Sequence, residues 1–193
     1  MASDSKNFVR RWTRNTFYGW LMGFMFILVF AMGFDSIGIS GQFFLGLGMG
    51  IGVGWMQWRI GKSIGIGKNW IWMSIIGMTL PFLVLDLLPV PDLPDSFGMA
   101  ISIGSGALLT GFLQSLELKK FIANSWRWIP VCFLGWITVP FFLLLSEQMK
   151  GLFPNNLVVA LFTLLLILGG GVSLGLVTGI GTKKILILKL KED

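Results

Sequence analysis

Three polar side chains near the ends of apolar segments are the residues best suited to bind a molecule. They are Gln57, Gln114 and Thr178. Brought together, their amide and hydroxyl groups would form a neutral site of hydrogen-bond donors and acceptors. None of them titrates near pH 7, so this group cannot perform general acid–base catalysis. The alternative, which we favour, is that each one hydrogen-bonds its helix to a neighbouring helix.

Asp86 is a fourth candidate, because an ionisable residue inside an apolar segment marks a functional site by default. It lies in the apolar run 83–88, just before a proline-rich segment at residues 89–95. One interpretation places its carboxylate at the level of the outer lipid headgroups. The other makes it a cation or proton site between helices.

The composition excludes most enzyme chemistry. The 193 residues include no His and one Cys, so the commonest metal ligand is missing and thiolate clusters cannot form. We therefore predict no metal site, no catalytic residue and no enzymatic activity. Hydrophobic residues make up 54% and charged ones 12%, about half the charged share of an ordinary soluble domain. Together with a mean hydropathy of +0.80, these values indicate an integral membrane protein.

Six apolar segments are long enough to cross a bilayer as helices. They cover residues 16–34, 41–58, 69–88, 97–116, 128–146 and 155–181. With a cytoplasmic N-terminus, every Lys and Arg except Lys150 falls on the cytoplasmic side, as the positive-inside rule requires. We therefore expect a multi-pass protein of a bacterial inner or thylakoid-type membrane, with both termini in the cytoplasm. The same clustering explains the net charge of +6 without a nucleic-acid partner.

The segments that run inward share one sequence pattern. In each copy, one small residue stands seven positions before the polar residue (Gln57, Gln114 or Thr178) and a second stands three positions before it. A Lys follows five positions after the polar residue. The small residues are Gly50 and Gly54, Ala107 and Gly111, and Gly171 and Gly175. Because successive residues of an α-helix are rotated by 100°, these small residues lie on the same helix face as the polar residue. We therefore predict that neighbouring helices pack closely against this face.

The segments that follow the first two copies of this pattern also match each other. One contains Asn69-Trp70 and Thr79-Leu-Pro81-Phe82; the other contains Trp126-Arg-Trp128 and Thr138-Val-Pro140-Phe141. The chain therefore divides into a first helix (15–40), two related hairpins (41–96 and 97–150) and a last helix with a basic tail (151–193). All copies cross in the same direction, which predicts one all-α domain over 1–193 with a parallel repeat. Its expected architecture is a closed, pseudo-threefold bundle of six transmembrane helices.

A run of alternating glycines from Gly46 to Gly54 is not a phosphate-binding loop, because no strand precedes it and no Lys-Ser/Thr pair closes it. It predicts either a centrally packed helix or a helix that contacts a cofactor. Grooves lined by glycine and aromatic residues suit flat or chain-like apolar ligands. A lipid, a carotenoid or a chlorin is therefore a candidate, and the sequence does not identify the ligand.

The spacing of Gly, Gln and Trp resembles that of a group of uncharacterised bacterial polytopic membrane proteins, frequent in cyanobacteria, with hairpin repeats of the form G-x3-G-x2-Q-W-x2-L. The first hairpin matches this pattern at Gly50, Gly54, Gln57 and Trp58. The second matches in part, at Gly111, Gln114 and Leu118, and Thr178 departs from it. The resemblance covers most of residues 46–141 and implies architecture only.

The features that the sequence lacks guide the functional expectation. It has no soluble domain, no nucleotide motif and no charge pair expected within the membrane. We therefore expect a non-enzymatic accessory or structural subunit of a larger membrane complex, in contact with lipids and other membrane subunits. The alternative is a small substrate-binding or conducting subunit of a transporter, which predicts a pore or pocket along the bundle axis.

Overall fold

The computed structural model describes residues 2–36, 41–88, 95–153 and 155–192, and these residues are almost entirely helical. The six helices are α1 (Ala2–Asp35), α2 (Phe43–Gly61), α3 (Asn69–Leu87), α4 (Asp95–Leu118), α5 (Trp128–Leu152) and α6 (Asn156–Glu192). Short 3-10 turns at Lys62–Ile64 and Ser125–Arg127 lead into α3 and α5. Since the described residues contain no strand, the all-α prediction is confirmed.

The first and last helices are longer than the predicted segments. At 1.5 Å per residue, α1 is about 50 Å long and α6 about 55 Å, whereas the hydrocarbon core of a bilayer is about 30 Å thick. The prediction counted only the apolar residues needed to cross lipid. Both helices continue into basic segments, where Lys and Arg are good helix formers.

Five helices are long and apolar enough to cross a membrane. The segments that meet this requirement are Asn7–Phe34, Asn69–Leu87, Ser96–Leu118, Ser125–Gln148 and Asn156–Leu186. The prediction of a multi-pass chain is consistent with these five. Helix α2 is not among these five; it carries a Gly at every second position from Gly46 to Gly54, and its last two turns contain Gln57 and Arg59.

The six helices form a closed ring. Each helix packs against the next one in the chain, and α6 packs against α1. The chain connects five of the six interfaces in this ring directly. The α1–α6 interface has no connecting loop, so side-chain and backbone contacts alone close the ring there.

Glycine allows α1 and α2 to approach within backbone contact. A Cβ atom added at Gly19 would lie 2.5 Å from the carbonyl oxygen of Gly52, and one added at Gly52 would collide with the Gly19 carbonyl and the Gly23 nitrogen. Such close approach is how small residues let membrane helices associate, since lipid supplies no hydrophobic drive for their contact.

Glu117 is a buried charged residue at the end of α4, but its partner Lys120 lies beyond the helix and is 59% exposed, so the pair does not lie within the apolar helices. Glu117, near the end of α4, is only 3% exposed and forms an ion pair with Lys120. Its carboxylate lies against Gly67, where a Cβ atom would collide with it. The pairing is local, between residues three apart, whereas the loop between α2 and α3 contributes to the burial of Glu117, since Gly67 lies against its carboxylate.

We predict that Gly52→Ala destabilises the protein by about 1–3 kcal/mol, because the added methyl group forces α1 and α2 apart. The matched control is Gly33→Ala, since a Cβ atom at Gly33 on α1 meets nothing within 4 Å. The control should be neutral or slightly stabilising, because Ala favours helix over Gly. Thermal unfolding in mild detergent measures both variants. Equal melting temperatures would contradict the close contact between α1 and α2.

Candidate functional site

Three tryptophans from alternate helices meet inside the ring. Trp12 of α1, Trp70 of α3 and Trp128 of α5 are all buried. The Trp70 and Trp128 ring centroids lie 5.4 Å apart, and those of Trp12 and Trp128 lie 6.4 Å apart. We call these three residues the indole layer. It fills the interior of the ring at the end where the basic residues cluster, which we call the basic end.

Each indole of this layer donates a hydrogen bond to one of the three predicted polar residues. The Nε1–H groups of Trp128 and Trp70 reach the Oε1 atoms of Gln114 at 2.7 Å and of Gln57 at 3.4 Å. Trp12 Nε1–H reaches Thr178 Oγ1 at 3.0 Å. The structure therefore places the three polar residues beside the same indole layer. Each of them joins its helix to a neighbour, since the bonds connect α2 to α3, α4 to α5, and α6 to α1.

Gln114 makes the most extensive of these connections. Its Nε2 donates to Ser74 Oγ at 2.9 Å, and the Ser74 hydroxyl donates to the carbonyl oxygen of Trp70 at 2.8 Å. With the bond from Trp128, the Gln114 side chain ties together α3, α4 and α5. Thr178 instead donates back to the Leu174 carbonyl of its own helix, at 2.7 Å.

The predicted packing residues lie at the interfaces of the ring. A Cβ atom added at any of the five glycines would lie within 3.0 Å of a residue on another helix. The distances are 2.7 Å from Gly50 to Ile75, 2.6 Å from Gly54 to Ser74, 3.0 Å from Gly111 to Cys132, 2.6 Å from Gly171 to Trp20 and 2.8 Å from Gly175 to Thr13. Ala107 is completely buried. Every neighbour that these glycines meet belongs to an adjacent helix, so the small residues occupy contacts between helices.

Asp86 lies at the opposite end of the bundle from the indole layer. Its two carboxylate oxygens accept hydrogen bonds from the backbone N–H groups of Gln42 at 2.9 Å and Phe43 at 2.8 Å. These N–H groups open α2 and have no acceptor within the helix, so a carboxylate there also meets the positive end of the helix dipole. The geometry thus gives Asp86 the role of a helix cap. The proline-rich segment 89–94 lies outside the described residues.

An apolar chamber lies beyond the indole layer. Its volume is about 220 Å³, and all six helices line it, with Trp20, Met49, Phe82, Ile103, Trp136 and Gly170 as one representative from each. Trp20 and Trp136 follow Trp12 and Trp128 by eight residues, which is about 12 Å along a helix. The chamber therefore occupies the half of the ring that faces away from the basic end.

Few polar groups face this chamber. Among the described residues that line it, Ser146 and Thr163 alone carry a hydroxyl group, and both lie far from the indole layer. The Ser146 hydroxyl donates to the Leu143 carbonyl, and the Trp20 indole donates to the Ile167 carbonyl at 3.0 Å. The indole N–H of Trp136 makes no hydrogen bond within the described part of the chain. The chamber is thus chemically suited to an apolar molecule with few polar atoms.

Comparison with protein-family models, with curated proteins and with solved structures finds no match.

A pocket along the bundle axis was expected only for the transporter alternative, and neither its lining residues nor the part played by Trp12 was predicted, although the sequence carries a signal for both. Trp12, Trp70 and Trp128 are spaced 58 residues apart, and Gly19, Gly77 and Gly135 keep the same interval. The residue after each glycine lines the chamber: Trp20, Met78 and Trp136. Helix α1 lacks the Thr-x-Pro-Phe motif of α3 and α5, so the interval of 58 residues is visible only when the whole chain is compared with itself.

We predict that Trp128→Phe destabilises the protein by about 1–3 kcal/mol, because it leaves the buried Gln114 oxygen without its donor. Trp126→Phe is the matched control, since Trp126 is 61% exposed and lies outside the indole layer. Unfolding of the two variants in the same detergent, followed by loss of helical circular dichroism, gives the comparison. An equal effect of both substitutions would show that the indole bond contributes nothing.

Proposed function

We propose that this protein is a non-enzymatic membrane protein that binds one apolar molecule in its central chamber, as a small substrate-binding subunit of a transport system would. The observation that carries the proposal is the chamber itself, lined by all six helices and almost entirely apolar. A dry apolar cavity of about 150 Å³ already admits benzene. The volume of about 220 Å³ suits a segment of an acyl or isoprenoid chain better than a whole carotenoid or chlorin.

The indole layer favours binding over conduction. Three contacting, buried indoles occupy the interior between the chamber and the basic end. A molecule that enters from the end opposite the basic end therefore cannot pass beyond the indole layer. A substrate-binding subunit needs a pocket that is closed on one side if a separate partner protein opens that side during transport.

The orientation of the protein in the membrane follows from the distribution of its Lys and Arg residues. The basic residues at the ends of α1, α2, α4 and α6 include Arg10, Arg59, Lys119 and Lys183. By the positive-inside rule, this end and both chain termini face the cytoplasm, and the chamber lies in the outer leaflet half. The position of α2 between α1 and α3 favours a sixth crossing, with its glycines covered by protein rather than by lipid.

The pseudo-threefold repeat is part of this proposal. Its support is that three equally spaced tryptophans make three analogous bonds to Gln57, Gln114 and Thr178. The relationship to the cyanobacterial group with Gly-Gln-Trp hairpins rests on Gly50, Gly54, Gln57 and Trp58, with a partial match in the second hairpin. An accessory role in a larger membrane complex remains a prediction, and ligand binding in the chamber is compatible with it.

We predict that the purified protein retains one apolar molecule and that Gly170→Leu removes it. A Cβ atom at Gly170 fits, with its nearest neighbour 3.4 Å away, so the larger side chain would fill the chamber instead of breaking the ring. Native mass spectrometry in mild detergent, followed by solvent extraction, counts and identifies the bound molecule. We expect at least a tenfold loss of occupancy in the variant.

The control for this experiment is Gly104→Leu. Gly104 lies on α4 outside the chamber lining, and its added Cβ atom would have its nearest neighbours 3.9 Å away. This variant should keep wild-type occupancy. A wild-type protein without any bound molecule, or equal retention by both variants, would contradict the proposed function.

A further inference from the structure

A groove on the outer surface of the ring follows the α1–α6 interface. Its volume is about 660 Å³. At the basic end it is lined by Arg10 and Arg14 of α1 and Lys183 of α6. This groove is separate from the central chamber, because the two share no lining residue.

The three cations of this groove have no carboxylate partner among the residues that the structure describes, where the sole ion pair joins Glu117 to Lys120. Arg10 and Arg14 are four residues apart and therefore lie on the same helix face, where like charges repel. Both guanidinium-bearing residues are exposed. The described residues therefore do not neutralise the positive charge of the groove, and a bound anion would neutralise it.

The rest of the groove is apolar. Phe17 of α1 and Val172 and Leu176 of α6 continue it away from the cations. Leu176 and Val172 precede Lys183 by seven and eleven residues, so the apolar strip extends about 10–16 Å along the helix. Both side chains are at least 40% exposed on the outer surface. The groove thus combines a cationic end with a strip that matches a hydrocarbon chain.

We propose that the groove binds one anionic phospholipid. Its phosphate would contact Arg10, Arg14 and Lys183, and one acyl chain would lie along Phe17, Val172 and Leu176. Basic sites between helices at the cytoplasmic surface are suited to anionic headgroups. Because no loop connects α1 to α6, a lipid that contacts both helices would reinforce the one interface that the chain does not join.

The test uses native mass spectrometry and thermal unfolding of the full-length protein in detergent with added phosphatidylglycerol or phosphatidylcholine of identical chains. We expect one phosphatidylglycerol to bind at least tenfold more tightly than phosphatidylcholine and to raise the melting temperature. The triple variant Arg10→Gln, Arg14→Gln, Lys183→Gln should lose this preference. A wild-type protein without preference between the two lipids would overturn the proposal.

A charge-matched control removes three cations elsewhere at the same end: Arg59→Gln, Lys68→Gln, Lys119→Gln. It should keep the phosphatidylglycerol preference, whereas an equal loss in both triple variants would mean that only general surface charge acts. Leu176→Trp narrows the apolar strip without changing charge and should weaken lipid binding at least threefold, which keeps the test decisive if the triple variant fails to fold. Displacement of the lipid by millimolar inorganic phosphate would identify a simple anion site and overturn the proposal.

Discussion

The contact of three indoles inside the ring is the interaction on which the rest of the structure depends. Trp12, Trp70 and Trp128 are large, buried and in contact, and each has its N–H group bonded to a polar side chain of a neighbouring helix. In a dry interior such bonds gain strength, and an unpaired polar group is costly. The layer therefore fixes the depth and rotation of all six helices relative to one another.

This layer also separates two chemical environments. At its level the side chains of Gln57, Gln114 and Thr178 are used to join helices. Beyond it, Met49, Phe82, Ile103 and their neighbours leave an apolar space that no side chain fills. The glycine contacts between helices keep the ring tight, so the chamber is a consequence of side-chain size and not of loose packing.

The sequence predicted the elements well, because a membrane-spanning helix has a strong signature in length and hydropathy. That Gln57, Gln114 and Thr178 share a helix face with small residues follows from their spacing, and in the structure each accepts a hydrogen bond from an indole of a neighbouring helix. The partners of these residues were not predictable in the same way. That Trp12 belongs with Trp70 and Trp128 follows only when an interval of 58 residues is compared across the whole chain. The chamber depends on which side chains face each other, such as Gly170 opposite Trp20, and pattern analysis of single helices does not contain that information.

An experimental structure of the protein in a lipid nanodisc, purified without added ligand, tests the central claim most directly. We expect continuous density of one elongated apolar molecule between Trp136 and Gly170, above three contacting indoles that close the interior. A water-filled passage through the indole layer, or a chamber filled by collapsed side chains, would contradict the account.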